Sequence, residues 1–185
     1  MKEHGTVLVV SGPSGVGKDT IIVELETRSL YRKLAAYTTR PMRSGEQDGK
    51  DYRFVTHQQF TQLRSQYEFL DCTELKGNLY GTPLCEFEQV IETGRCVVVH
   101  LRAPSALLLQ RRVPSVKTVF MLPPSAGELE RRLRTRGASE EDIATRMKNV
   151  EEECRHAIFF DLIVVNYTNE IQHVAERVLA FLDKH

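Results

Sequence analysis

The chain has little of what would send a protein to a membrane, a polyanion or an oxidising compartment. Lysine plus arginine total 25 and aspartate plus glutamate 25, so no net field steers it toward nucleic acid or anionic lipid. No apolar run approaches the roughly 18 residues that a bilayer-spanning helix needs. The apolar stretch before Ser11 is too short for a secretory signal, and the expectation is a cytoplasmic protein. The four cysteines (Cys72, Cys85, Cys96, Cys154) are scattered without the paired spacing of zinc or redox sites, and the six histidines form no ligand cluster. Reduced thiols are the simplest account. Repeats, low-complexity tracts and proline-rich linkers are missing too. What remains is ordinary globular composition, 41% apolar and 27% charged over 185 residues, enough for one domain with a real core and small inserted lobes.

The most informative segment is Gly12-Pro13-Ser14-Gly15-Val16-Gly17-Lys18-Asp19-Thr20, entered directly from the apolar run Val7–Val10. A buried strand, a glycine-rich turn and a helix opening at Lys18 read as a phosphate-binding loop. Its glycines let successive backbone N–H groups converge on phosphate oxygens, the helix dipole points the same way, and Lys18 adds an ammonium. The pattern predicts nucleoside triphosphate binding. Where Ser or Thr commonly follows the lysine and holds Mg²⁺, this chain has Asp19, with the hydroxyl moved to Thr20. A carboxylate beside triphosphate is repelled unless a cation lies between, so Asp19 is either a metal contact beside Thr20 or a plain helix-start residue.

Periodicity predicts a strand at Thr6–Ser11 and helices at about 18–27, 57–65, 83–92, 125–136, 139–160 and 170–184. Short strands are expected at 52–55 and 68–74. The β-branched runs at 96–101, 116–122 and 162–165, apolar on both faces, read as buried parallel strands. The fold class is therefore α/β: a parallel sheet core with helices on both faces, interrupted by a turn-rich insert.

That insert contains Thr38-Thr39-Arg40-Pro41-Met42-Arg43-Ser44-Gly45-Glu46 and Gly49-Lys50-Asp51-Tyr52-Arg53-Phe54, and it closely resembles the acceptor-binding signature of guanylate kinases. Gly77-Asn78-Leu79-Tyr80-Gly81-Thr82 is similar to that family's Gly-Asn-x-Tyr-Gly element. Arg132-Leu133-Arg134-Thr135-Arg136-Gly137 followed by Arg146 resembles its lid, and Val164-Val165-Asn166 its late strand. The resemblance implies one domain with a core at 1–35, 84–124 and 148–185, an acceptor lobe at 36–83 and a lid at 125–147. It implies an ATP:GMP phosphotransferase using Mg²⁺ with ATP, with ATP and GMP as partners, no nucleic acid or membrane, and a monomer or homodimer.

The same residues make chemical sense. Arg40 and Arg43 offer planar forks to a dianionic phosphate, and Tyr52 and Tyr80 offer phenolic donors without charge; as lone residues these arginines would read as solvated turn charges. By resemblance all four hold the acceptor phosphate. Asp71 falls where the family places a carboxylate against the adjacent N1–H and 2-amino donors of guanine, and Thr82 where a hydroxyl meets O6. Asp71 also fits a hydrogen-bonded strand-end residue. Ala36 stands where the family has another hydroxyl. By themselves the arginines of 131–136 would read as a solvated helix face; the resemblance implies that Arg132, with the phosphate loop, meets ATP and that Arg136 and Arg146, with Lys18, supply charge in the transition state.

The sharpest departure is Val97-Val98-Val99-His100-Leu101-Arg102, where guanylate kinases typically carry Asp-x-Asp. The expectation is that Asp19 stands in for the lost metal-side carboxylate. Two other readings stay open: a kinase for another small phosphate ester such as ribose 1,5-bisphosphate, whose phosphokinases the Asp19 and Arg102 positions also resemble, and a non-catalytic guanylate-kinase-like binding module.

Overall fold

Val7, Leu8, Val9 and Val10 are all fully buried, which requires helices on both faces of the strand that carries them. The computed structural model, which describes residues 5–75, 77–113 and 115–184, has that arrangement. In chain order the elements are β1 (Thr6–Ser11), α1 (Lys18–Arg28), β2 (Arg32–Lys33), β3 (Tyr37–Thr38), β4 (Arg53–Phe54), α2 (His57–Gln66), β5 (Phe69–Leu75), β6 (Asn78–Pro83), α3 (Leu84–Glu92), β7 (Cys96–His100), α4 (Ala103–Arg112), β8 (Val116–Leu122), α5 (Ala126–Thr135), α6 (Glu140–Arg155), a 3-10 turn (His156–Phe159), β9 (Leu162–Val165) and α7 (Ile171–Leu182).

A five-stranded parallel sheet runs in the order β2-β7-β1-β8-β9. Alternate β1 residues face opposite layers, as a pleated strand demands. Val7 and Val9 join Phe87 and Val90 of α3 and Ala106 and Leu109 of α4. Leu8 and Val10 join Ile21, Ile22 and Leu25 of α1 and Val174 and Val178 of α7. A second, four-stranded sheet, β4-β3-β6-β5, is formed entirely within the insert. It is covered by α2, whose Phe60 is fully buried with its ring 5.2 Å from that of Phe69. Thr56 and Gln59 close a reciprocal capping box at the start of α2. Among the described residues no helix is long and apolar enough to cross a membrane, and all four cysteines are free thiols.

The buried parallel strands stand where the β-branched runs predict them. Four elements were not anticipated. β2 and β3 have two residues each and exist through their pairing partners. β6 contains Gly81 and Pro83, both poor strand formers, yet it pairs antiparallel with β5 on one side and β3 on the other. α4 begins immediately after β7 with Pro104 in its first turn, a position where a missing N–H costs nothing. The helix expected over 139–160 ends at Arg155 and tightens into the 3-10 turn.

Candidate functional site

A cleft of about 760 Å³ opens at the carboxyl ends of β1, β7 and β8, where Ser11, His100 and Phe120 line it. That is where open parallel sheets bind ligands, because loops diverge there and helices begin there. The phosphate loop forms one wall. Gly17 has φ +108°, and a Cβ there would lie 2.6 Å from Nδ2 of Asn166, so glycine is required both conformationally and sterically. Asn166, at the end of β9, is buried and donates from Nδ2 to the Val16 carbonyl at 2.8 Å, which ties the loop to the sheet.

Lys18 opens α1 and turns back over the loop, donating from Nζ to the carbonyls of Gly12 (2.7 Å) and Pro13 (3.0 Å). Burial pushes its pKa down, Glu153 and Asp19 oppose the shift, and Arg136 adds to it. Arg146, on α6, donates to the Ser14 hydroxyl, and Arg136, capping α5, also lines the cleft. Arg132 is held more firmly, donating to Glu128 (2.9 Å), to the Asn166 carbonyl (2.8 Å) and to the Val16 carbonyl (3.4 Å). It borders a second depression of about 320 Å³ with Gly17, Thr20, Arg136, Asn166 and Thr168. Thr20 is exposed and lines both depressions.

The insert supplies the facing wall through Tyr52. Arg40 lies with its guanidinium 5.5 Å from the Tyr52 ring centre, and the Tyr52 and Tyr80 rings sit edge to face at 5.9 Å. Arg40 is oriented by Glu46, which accepts both of its Nη groups at 2.9 and 2.7 Å and also the Arg43 backbone N–H at 2.7 Å. The Arg40 guanidinium therefore holds the Glu46 carboxyl down at about 2. Arg43 itself is exposed at the turn. Within the insert's own sheet, Asp71 of β5 stands directly opposite Thr82 of β6, with Thr82 buried.

A guanylate kinase family model matches residues 4–185. The chain belongs to the guanylate kinase family. It is 41% identical to a guanylate kinase from Nostoc sp. over 165 residues, 88% of this chain and 82% of that protein. It is 38% identical to one from Lactococcus lactis over 185 residues, 99% of this chain and 89% of that protein. The crystal structure of guanylate kinase from Anaplasma phagocytophilum superposes with a TM-score of 0.73 at 30% identity, covering all of this chain and 87% of that one.

Within the guanylate kinase family frame, the two departures, His100 at the end of β7 and Arg102 at the N-cap of α4, have found separate partners. His100 Nδ1 lies 3.4 Å from Oδ1 of Asp19. The hydrogen bond with His100 is the main reason the Asp19 carboxyl sits below its usual range, with Lys33 and Lys18 contributing. Arg102 reaches the other way, to Asp71, with Nη2 at 3.1 Å from Oδ1.

The sequence reading missed one wall altogether. Asn149, Glu153 and His156 line the cleft with Arg146. Burial raises the Glu153 carboxyl, opposed by Lys18, Arg102 and His156. A signal existed: positions 146, 149 and 153 recur at helical spacing, a polar stripe on one face of α6 that His156 extends at the C-cap.

Proposed function

We propose that the protein transfers the terminal phosphoryl group of ATP to the phosphate of GMP, giving ADP and GDP, in the cytoplasm where its free thiols persist. The observation that carries this reading is the cleft itself, in which Lys18, Arg136 and Arg146 from the parallel sheet's side meet Tyr52 from the insert.

On this reading residues 12–20 cradle the ATP phosphates, and the depression beside Arg132 takes the rest of the donor nucleotide. Arg40, Arg43, Tyr52 and Tyr80 hold the acceptor phosphate, and Asp71 and Thr82 meet the guanine edge. Glu46 sets the Arg40 fork before substrate arrives, so less orientational freedom is lost on binding. Lys18, Arg136 and Arg146 neutralise the charge that spreads over the transferring group, and positioning plus electrostatics suffice because in-line transfer needs no covalent intermediate. Closure of segment 125–147 over the cleft would exclude water, which otherwise takes the phosphoryl group.

The donor set suits Mg²⁺. Thr20 and Asp19 are hard oxygen ligands beside the phosphate loop, and among the described residues no cluster of three metal-binding side chains exists. Mg²⁺ is typically held by one or two protein oxygens with substrate phosphates completing the shell. When bound, it would neutralise charge on the triphosphate as the phosphoryl group is transferred.

A coupled assay of ADP release tests the proposal, with ATP against GMP, dGMP, AMP, CMP, UMP and ribose 1,5-bisphosphate. GMP and dGMP should be turned over best. Preference for ribose 1,5-bisphosphate would overturn the base-reading role of Asp71 and Thr82, and no transfer to any acceptor would leave a binding module.

A further inference from the structure

On the reading above, Asp71 faces the acceptor base, yet one of its oxygens is already engaged. Oδ1 accepts from Arg102 Nη2 at 3.1 Å and Nε at 3.4 Å, and from the Thr73 hydroxyl at 3.3 Å. Among the described residues Oδ2 is approached only by the Arg102 backbone N–H, at 3.5 Å. A carboxylate oxygen has about two acceptor sites, so Oδ1 is filled and Oδ2 is open.

Guanine brings two adjacent donors to a carboxylate, N1–H and the 2-amino group, and needs both oxygens. Hypoxanthine, which differs only in lacking the 2-amino group, brings N1–H and needs one. We propose that Arg102 is a specificity-determining residue, which narrows the preference for guanine over hypoxanthine and opens the acceptor site to inosine monophosphate.

The direction holds whichever way guanine binds. If Arg102 stays, the 2-amino donor lacks its oxygen. If Arg102 leaves, the ion pair is lost. Hypoxanthine incurs neither cost. The cheaper route sets the size of the effect. The Arg102 side chain is 67% exposed while that of Asp71 is 15% exposed. A pair with one well-solvated partner contributes modestly, so displacement is the cheaper route and the expected effect is about three- to fivefold.

The test is kcat/KM for GMP and for inosine monophosphate, with saturating Mg²⁺ and ATP, in the unaltered protein, Arg102→Ala and Arg102→Met. Arg102 is exposed ahead of α4, so both variants should fold, which circular dichroism checks. The GMP-to-IMP ratio should rise about three- to fivefold in both. A merely structural Arg102 would move both acceptors together, so a ratio within about twofold of the unaltered protein, or a lower one, overturns the proposal. Asp71→Asn separates this from the parent reading. It should depress GMP use more than IMP use, and if it changes neither, Asp71 does not face the base.

Discussion

Replacing Gly17 with alanine probes how tightly the phosphate loop is held against the sheet. Two costs are legible. The residue sits at φ +108° and ψ 22°, a left-handed conformation that costs a side chain about 1–2 kcal/mol. The new Cβ would also stand 2.6 Å from Nδ2 of Asn166, so the amide must rotate and release the Val16 carbonyl, a loss of about 1 kcal/mol. Gly17→Ala should therefore destabilise the protein by about 2–3 kcal/mol, a fall in Tm of roughly 5–10 °C for a chain of this size. ATP affinity measured by calorimetry should fall with it, because the loop N–H groups no longer converge.

A double-mutant cycle divides the two terms. Asn166→Ala removes the amide, and with it the obstacle to the new methyl group. Denaturant melts of the two single variants and the double variant should give a combined loss smaller than the sum by about 1 kcal/mol. Additivity within about 0.3 kcal/mol would show that Asn166 is not what the methyl group meets. A Gly17→Ala protein melting with the unaltered one would refute the conformational term as well.

Lys18→Ala should abolish phosphoryl transfer in a folded protein, since the ammonium is lost while backbone N–H groups remain; substantial residual turnover would remove the phosphate-loop assignment. Arg40→Ala and Arg43→Ala should each raise KM for GMP without weakening ATP binding, with lysine restoring only part because it lacks the planar fork; a fall in ATP affinity instead would place them on the donor side. Asp19→Ala should raise the Mg²⁺ concentration needed for half-maximal ATP binding, read by calorimetry as well as by rate, and an unchanged titration leaves Asp19 as a helix-start residue. The Glu46 carboxyl is depressed, so the Arg40–Glu46 fork is fully formed above the ordinary carboxylate range near 4.5 and lost as pH falls through about 2. An NMR titration of Glu46 should show that midpoint, and Arg40→Ala should raise it toward the ordinary range, with the Arg43 backbone N–H still holding it partly down.

Much of the site was legible because its signals are local. Glycine spacing, a preceding β-branched strand and a following helix lie in one continuous stretch from Thr6 to Arg28, and each specifies backbone geometry without reference to distant parts. The same holds for the buried parallel strands, whose apolar runs need only be flanked by helices. Arg40, Arg43, Tyr52 and Tyr80 could be nominated from motif, but the gathering of Arg40, Tyr52 and Tyr80 depended on β3 and β6 pairing through Thr38 and Tyr80, and Arg43 stays exposed at the turn.

Elements whose stability is borrowed from partners left no such mark. β6 reads poorly as a strand until β5 and β3 flank it, and α4 follows β7 too closely for a separating turn signal. The chain by itself determined an α/β core with a glycine-rich loop, a turn-rich insert carrying Arg40 and Arg43, and the two unusual residues His100 and Arg102. Only the tertiary structure decided what those residues do. Asp71 and Arg102 are 31 positions apart, and Asp19 and His100 lie on different elements of the core. Which carboxylate each of these side chains meets is set by the register of one strand against another and by how the insert sits over the parallel sheet. Residue type alone permits either pairing, and distance selects one.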